Sequence, residues 1–255
     1  PLLDQFIRRL KDRGEQVDIT IRREDVEDGF KCWAELTSTS PSGRHLSLYK
    51  CLLAPDPDDP EKDDEGNPID NKSRQIMQVY ADMIQIAIKH GMPLERWQFI
   101  ANAMLEKIPG CPWLHKLRVI HIVEADYNLM LRVILARGLM WHCEDNKWLG
   151  DSQLGSRKGR SAKMHLLQTE ATNDAVRRSR TDIGVMDNDA KACYDRIIPG
   201  LINLVYRSLG IPVEFVKCYG KALKNMKYHI KTKLGTSEVH YQDSDETPVF
   251  GVGQG

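Results

Sequence analysis

Apolar positions recur along this chain at more than one period, and each period predicts an element. Ile76, Val79, Tyr80, Met83, Ile84, Ala87 and Ile88 are spaced by threes and fours, which predicts an amphipathic helix over residues 73–90, closed by Gly91. Pro93 opens a second expected helix, residues 94–108, with Trp97, Ile100, Ala101, Met104 and Leu105 on one face and Pro109-Gly110 as its stop. The pattern then changes. Residues 117–123 are apolar and β-branched without helical spacing and predict a strand, followed by a helical stretch from about 126 to 137. Residues 181–186 form another short strand candidate. Pro199 suits a helix first turn, Leu201, Leu204, Val205 and Leu209 form its stripe, and Gly210 ends it; Pro212 starts another helix. Residues 228–234 and 237–241 flank Gly235-Thr236 as a hairpin, and Val17-Asp18-Ile19-Thr20-Ile21 alternates as a strand does. Strands and helices alternate, as in an α+β layered domain.

Length and composition add little until charge is followed along the chain. The 255 residues are 41% hydrophobic and 28% charged, enough for a substantial core, and the formal net charge is zero. The charge is segregated. Residues 56–65 hold seven acidic residues against Lys62 alone, whereas residues 215–233 hold six lysines and no Asp or Glu. The acidic run, rich in proline and lacking large apolar side chains, is expected to be a solvated linker over 55–72. The six cysteines, Cys32, Cys51, Cys111, Cys143, Cys193 and Cys218, make no CxxC pair or zinc-ligand spacing and suit reduced thiols in an intracellular protein, in cytoplasm or nucleus. No apolar run approaches the length of a membrane span, so no membrane partner is expected.

The candidate chemistry lies in Val185-Met186-Asp187-Asn188-Asp189-Ala190-Lys191-Ala192-Cys193-Tyr194-Asp195-Arg196-Ile197. A strand ending in a carboxylate cluster would put hard oxygen ligands at a sheet edge, where Mg²⁺ could keep open positions for phosphates. On spacing alone, three aspartates within nine residues serve equally as a loop or a helix cap.

The segment from Asp189 to Ile197 resembles the first palm motif of reverse transcriptases, Asp-x-Lys-x-Ala-Phe/Tyr-Asp-Arg-Val/Ile. The resemblance selects Asp189 over Asp187, because only Asp189 has an aromatic residue five positions on. Upstream, Ser152-Gln153-Leu154-Gly155-Ser156-Arg157-Lys158-Gly159-Arg160-Ser161-Ala162 resembles Gln-x-Gly-Phe-Arg-x-Gly-Arg-Ser-Thr, with Ser156 and Ala162 as departures. Leu117-Arg118-Val119-Ile120-His121-Ile122 through Asp126-Tyr127-Asn128 to Arg132 and Arg137-Gly138-Leu139 is similar to the fingers motif Arg-Pro-Ile-Ser-Leu…Asp-Tyr-Lys, with Val119 replacing the proline. Gly251-Val252-Gly253-Gln254-Gly255 looks like the start of the palm motif Gly-x-Pro/Gly-Gln-Gly. The four motifs occur in family order, and the composition of the first is closer to enzymes of non-LTR retrotransposons than to retroviral ones.

The resemblance implies right-hand polymerase fingers and a partial palm, mixed helices with a small antiparallel sheet. Composition and spacing divide off an N-terminal region 1–54, the acidic linker 55–72 and a helical lead-in 73–110, for which no family pattern is recognised, and the resemblance, which runs from Leu117 to Gly255, adds a fingers-like segment 111–180 and a partial palm 181–255. It further implies that Asp189 and the Ala190 carbonyl bind Mg²⁺, two ions serving the complete enzyme. Arg118 would reach the triphosphate of the incoming deoxynucleotide, Tyr194 would crowd its 2′ position, and Gln254 would lie near the primer end. Arg157, Lys158 and Arg160, with two glycines beside them, could hold phosphates. Lys227, Lys231 and Lys233 are expected along the RNA or DNA template-primer backbone. Because the Tyr/Phe-x-Asp-Asp hairpin is not among these residues, the chain is expected to be a fragment, inactive alone; the alternative is a non-catalytic relic that binds nucleic acid through its basic surfaces.

Overall fold

The computed structural model describes residues 2–13, 15–34, 41–44, 46–54, 58, 65, 69–186, 194–246, 249 and 251. The chain divides into two compact units, one formed by residues 1–139 with 194–255 and the other by residues 140–193. The first unit holds α1 (Leu2–Arg13), α2 (Arg23–Lys31), α3 (Leu46–Cys51), α4 (Lys72–Lys89), β1 (Phe99–Glu106), β2 (Leu117–Ile122) and α5 (Ala125–Leu131). Helix α5 runs on into a wider π-helical stretch, Arg132–Leu139. The second unit holds α6 (Met140–Asp145) and α7 (Ala162–Ser179). The chain then returns to the first unit with α8 (Pro199–Ser208), α9 (Val213–Lys224), β3 (Lys227–Thr232) and β4 (Gly235–Gln242).

Helix α4 forms where the spacing predicts it. Asn71 caps it by accepting from the Arg74 amide at 2.9 Å, and Gly91 ends it at φ +57°, a conformation that glycine adopts without a Cβ clash. Its Met77, Ala81, Ile84 and Ile88 are buried with Val26 and Phe30 of α2 and Phe215, Cys218 and Ala222 of α9. Around Phe30 the rings of Trp33 and Tyr49 stack, Tyr49 at a centroid distance of 4.2 Å.

Residues 94–108 are not a helix. A short 3-10 turn, Glu95–Gln98, leads into strand β1, which is central in a four-stranded sheet ordered β2-β1-β3-β4. Ladder hydrogen bonds on both sides of β1, with Ile100, Ala101 and Asn102 buried, outweigh the helical spacing of its apolar residues. The sheet is mixed rather than antiparallel: β1 pairs antiparallel with β2 but parallel with β3, which arrives from more than 100 residues later in the chain. The β3–β4 hairpin forms as expected with its turn two residues earlier, at Lys233-Leu234, because Gly235 begins β4 at φ +141°.

Two strand expectations fail for want of a ladder partner. Val17 and Ile21 are buried and Asp18 and Thr20 exposed, so the alternation is real. The segment is nonetheless pinned as single extended chain, by the Gly210 carbonyl, which accepts from the Gln16 and Val17 amides, and by Gln85 Oε1, which accepts from the Ile21 amide. Residues 181–186 are exposed and form neither helix nor strand; Val185 and Met186 are 75% and 91% accessible. Of the linker expected at 55–72, only residues 58, 65 and 69–72 lie within the described part.

Candidate functional site

Alternation along each strand sorts the sheet into two faces. Ile100, Asn102, Tyr228 and Tyr241 share one. There the Asn102 amide donates to the Tyr241 hydroxyl at 2.5 Å, and the Tyr228 and Tyr241 rings stack at 5.0 Å. Desolvation in this packed layer raises the Tyr228 phenol to about 12.

The opposite face carries chemistry. Register places Arg118 of β2 beside Leu105 of β1, and Phe99, Ala101 and Ala103 of β1 beside Lys227, His229 and Lys231 of β3. Arg118, Lys227 and Lys231 therefore project from one face of one sheet, although Arg118 lies more than 100 residues before the two lysines. Lys227 Nζ sits 5.3 Å from the centre of the Phe99 ring, where the ring's negative face attracts the ammonium. The His229 ring lies 6.2 Å from Phe99 and 5.3 Å from His240. Lys233 stands in the exposed turn beyond β3.

A cavity of about 610 Å³ opens on this face, lined among others by Phe99, His229, Lys231, Arg96, Glu124 and Ser42. Its polar lining is held by hydrogen bonds and an ion pair. Glu124 is almost inaccessible, and its two oxygens accept from the Ser42 amide at 2.8 Å and the Ser42 hydroxyl at 3.0 Å. Arg96 pairs with Asp126, whose other oxygen accepts from Trp97 Nε1 at 3.0 Å. His229 Nδ1 donates to the Ser237 carbonyl at 2.9 Å, which fixes the tautomer; among the described residues its Nε2 has no hydrogen-bond partner. None of Phe99, His229, Glu124 or Ser42 was a candidate from sequence. The usable signal was charge and aromatic content in alternation, hidden at Phe99 by the helical reading of its neighbourhood.

In the second unit the basic glycine loop is held from within. The Arg157 guanidinium forks onto Glu144, Nε to Oε1 and Nη2 to Oε2 at 2.5 Å each, while Nη1 donates to the Gly150 and Gln153 carbonyls at 2.8 and 3.0 Å. The hydrogen bond from Arg157 holds the Glu144 carboxyl below its ordinary value. Arg157 thus closes the 150–157 loop, while Lys158 is exposed with its Nζ 5.4 Å from the Trp141 ring centre, and Arg160 is half-buried. Ser161 caps α7 through the Met164 amide at 3.4 Å.

Asp189, Ala190 and Gln254 lie outside the described residues. Tyr194, the first described residue after Asp187 and Asp189, opens a short 3-10 turn and is 49% accessible. Among the described residues no group of three or more His, Cys, Asp or Glu is arranged to hold a metal ion, and no helix is long and apolar enough to cross a membrane. Compared with protein-family models and with curated proteins, the chain matches none.

Proposed function

We propose that this chain carries the fingers and first palm segment of a reverse transcriptase, an RNA-directed DNA polymerase that extends a primer on an RNA or DNA template with deoxynucleoside triphosphates. The observation that carries the reading is the shared sheet face. Arg118 was singled out for a triphosphate, and Lys227 and Lys231 for a nucleic-acid backbone, each from its own stretch of sequence; β1 joins their strands and turns all three to one side. Phosphate recognition needs such a face: a guanidinium offers forked donors, ammonium groups act as point charges, and an open cavity admits a chain of nucleotides.

The residues divide the work. Arg118 orients the triphosphate, Lys227, Lys231 and Lys233 neutralise backbone phosphates, and Tyr194, outside the core, is accessible to stand against a sugar. Asp189 and the Ala190 carbonyl are the hard oxygen donors that Mg²⁺ prefers, and the ions would neutralise phosphate charge as the primer hydroxyl attacks. In an enzyme extended through the family's Asp-Asp hairpin, Asp189→Asn is expected to abolish template-dependent synthesis with circular dichroism unchanged, and an active variant would overturn the assignment. Tyr194→Ala in the same enzyme is expected to raise ribonucleotide use relative to deoxynucleotide use, measured as the ratio of kcat/KM values, since a smaller side chain no longer excludes a 2′-hydroxyl.

A further inference from the structure

The β1–β2 hairpin ends in a loop, residues 107–116, in which every residue but Cys111 is exposed. Ile108, Trp113 and Leu114 are 53%, 65% and 82% accessible, and Leu105 at the end of β1 is 52% accessible. Large apolar groups gathered on one loop and edged by cations mark a binding surface. The loop is held in shape from within. The Cys111 amide donates to the Ile108 carbonyl at 3.1 Å, the Lys116 amide to the Trp113 carbonyl at 2.7 Å and the Gly110 amide to Glu106 Oε2 at 2.7 Å. From Lys107 to Ile122 there is no Asp or Glu. Lys107, His115, Lys116 and Arg118 are exposed there, and among the described residues none of their side chains has an ion pair or hydrogen bond. Pairing also runs one step past the strands, where the Lys107 amide donates to the Lys116 carbonyl at 3.2 Å. Alternation therefore sets Lys107 and Lys116 on the face of Leu105 and Arg118, which is the face of Lys227 and Lys231.

We propose that this loop holds unpaired bases of a nucleic-acid strand, Trp113 stacking on a base while Lys107 and Lys116 take the flanking phosphates. The inference rests on the reading of the sheet face as a nucleic-acid track and carries that track beyond the strands. The chemistry fits a single strand: an indole offers a flat face to any base, and a base within a duplex has both faces covered by its neighbours. An acidic protein or an anionic lipid surface would meet the same cations. Those cations, however, lie in line with Arg118, Lys231 and Lys227 rather than in a ring around the apolar groups, as a phosphate backbone requires.

The test uses the whole chain and fluorescence anisotropy with two labelled probes, a single strand of about 12 thymidines, within the span that one groove tracks, and an abasic strand of the same length. The thymidine strand is expected to bind more tightly than the abasic one. Trp113→Ala should weaken thymidine-strand binding at least about fivefold, the low end for losing one base–aromatic stack. It should leave the abasic strand, the salt slope and the thermal melt unchanged. Trp113→Phe should keep most of the affinity, whereas Trp113→Leu, apolar but without a ring, should behave as the alanine variant does. Lys107→Gln with Lys116→Gln should weaken both probes and flatten the slope of log affinity against log salt by about 1.4, at about 0.7 for each phosphate of a single strand. The proposal is overturned by equal binding of the two probes, or by Trp113→Ala binding the thymidine strand as the unaltered chain does. If in that case Lys227→Gln with Lys231→Gln still flattens the slope, the sheet track stands and the loop reading alone fails. Binding of neither probe overturns both. Binding to vesicles of phosphatidylcholine and phosphatidylserine that Trp113→Ala abolishes, with strand binding unaltered, assigns the loop to a lipid surface instead.

Discussion

Asp126 belongs to the fingers-like motif by sequence, and its chemistry in the fold is structural. Fully buried, it accepts from Trp97 Nε1 and from the Tyr127 amide and pairs with Arg96, so its charge is compensated on every side the structure describes. Removing the carboxylate by Asp126→Ala leaves a mostly buried guanidinium and an indole N–H without an acceptor. The expected loss is about 3 kcal/mol, the lower part of the range for breaking a buried pair because Arg96 keeps some solvent, read as a lower urea midpoint at unchanged slope. The buried phenols make a second residue-level statement. Burial raises Tyr49 to about 12, with the nearby Asp126 charge adding to it, and burial likewise raises Tyr228 to about 12 and Tyr127 and Tyr219 well above their ordinary range. A phenol that stays neutral when folded and ionises at about 10 when unfolded favours the folded state fully below pH 10. That contribution is lost as the pH rises from about 10 through the folded value of about 12. Denaturant midpoints should therefore hold up to pH 10 and fall steeply beyond it, in step with tyrosinate absorbance.

At the scale of elements, what could be read in advance depended on whether local spacing and tertiary pairing agreed. Helix α4 was legible because its stripe and its stop both lie within its own twenty or so residues. Strand β1 was not: Phe99–Glu106 has apolar residues at helical spacing, and only its two neighbours, one of them more than 100 residues away, make it a strand. With β1 misread, the face that joins Arg118 to Lys227 and Lys231 could not be foreseen, although each residue was chosen. The alternation at 17–21 and the short strand candidate at 181–186 show the converse, strand patterns without ladders among the described residues. Contact between helices was equally hidden. Gly29 of α2 faces Leu129 of α5 so closely that a Cβ there would overlap the leucine side chain, which is itself fully buried and has little room to turn. Gly29→Ala gains helix propensity yet should cost about 1–3 kcal/mol by overpacking, seen as a lowered Tm; a raised Tm would mean that Leu129 can move aside.

For the whole molecule, the proposed hold of a chain with no net charge on a polyanion depends on where the charges fall. Acidic residues gather at 56–65, whereas Lys227 and Lys231 stand with Arg118 on one face of the sheet and Lys233 follows in the turn. If these lysines neutralise phosphates, each releases close to one counterion from a duplex on binding, so each contributes about 0.9 to the slope of log affinity against log salt. Replacing Lys227, Lys231 and Lys233 by glutamine should weaken duplex binding at low salt and flatten that slope by about 2 to 3, with little regard to base sequence. The change should leave the fold intact, because Lys233 is exposed and the stems of the other two lie along the open face rather than in the core. Arg157→Gln makes the control. Its guanidinium already serves Glu144 and two backbone carbonyls, so its loss should loosen the 150–157 loop, as faster proteolysis there, more than it changes the salt slope. A slope untouched by the three lysine changes but flattened by Arg157→Gln would move the nucleic-acid track from the sheet to the basic loop of the second unit.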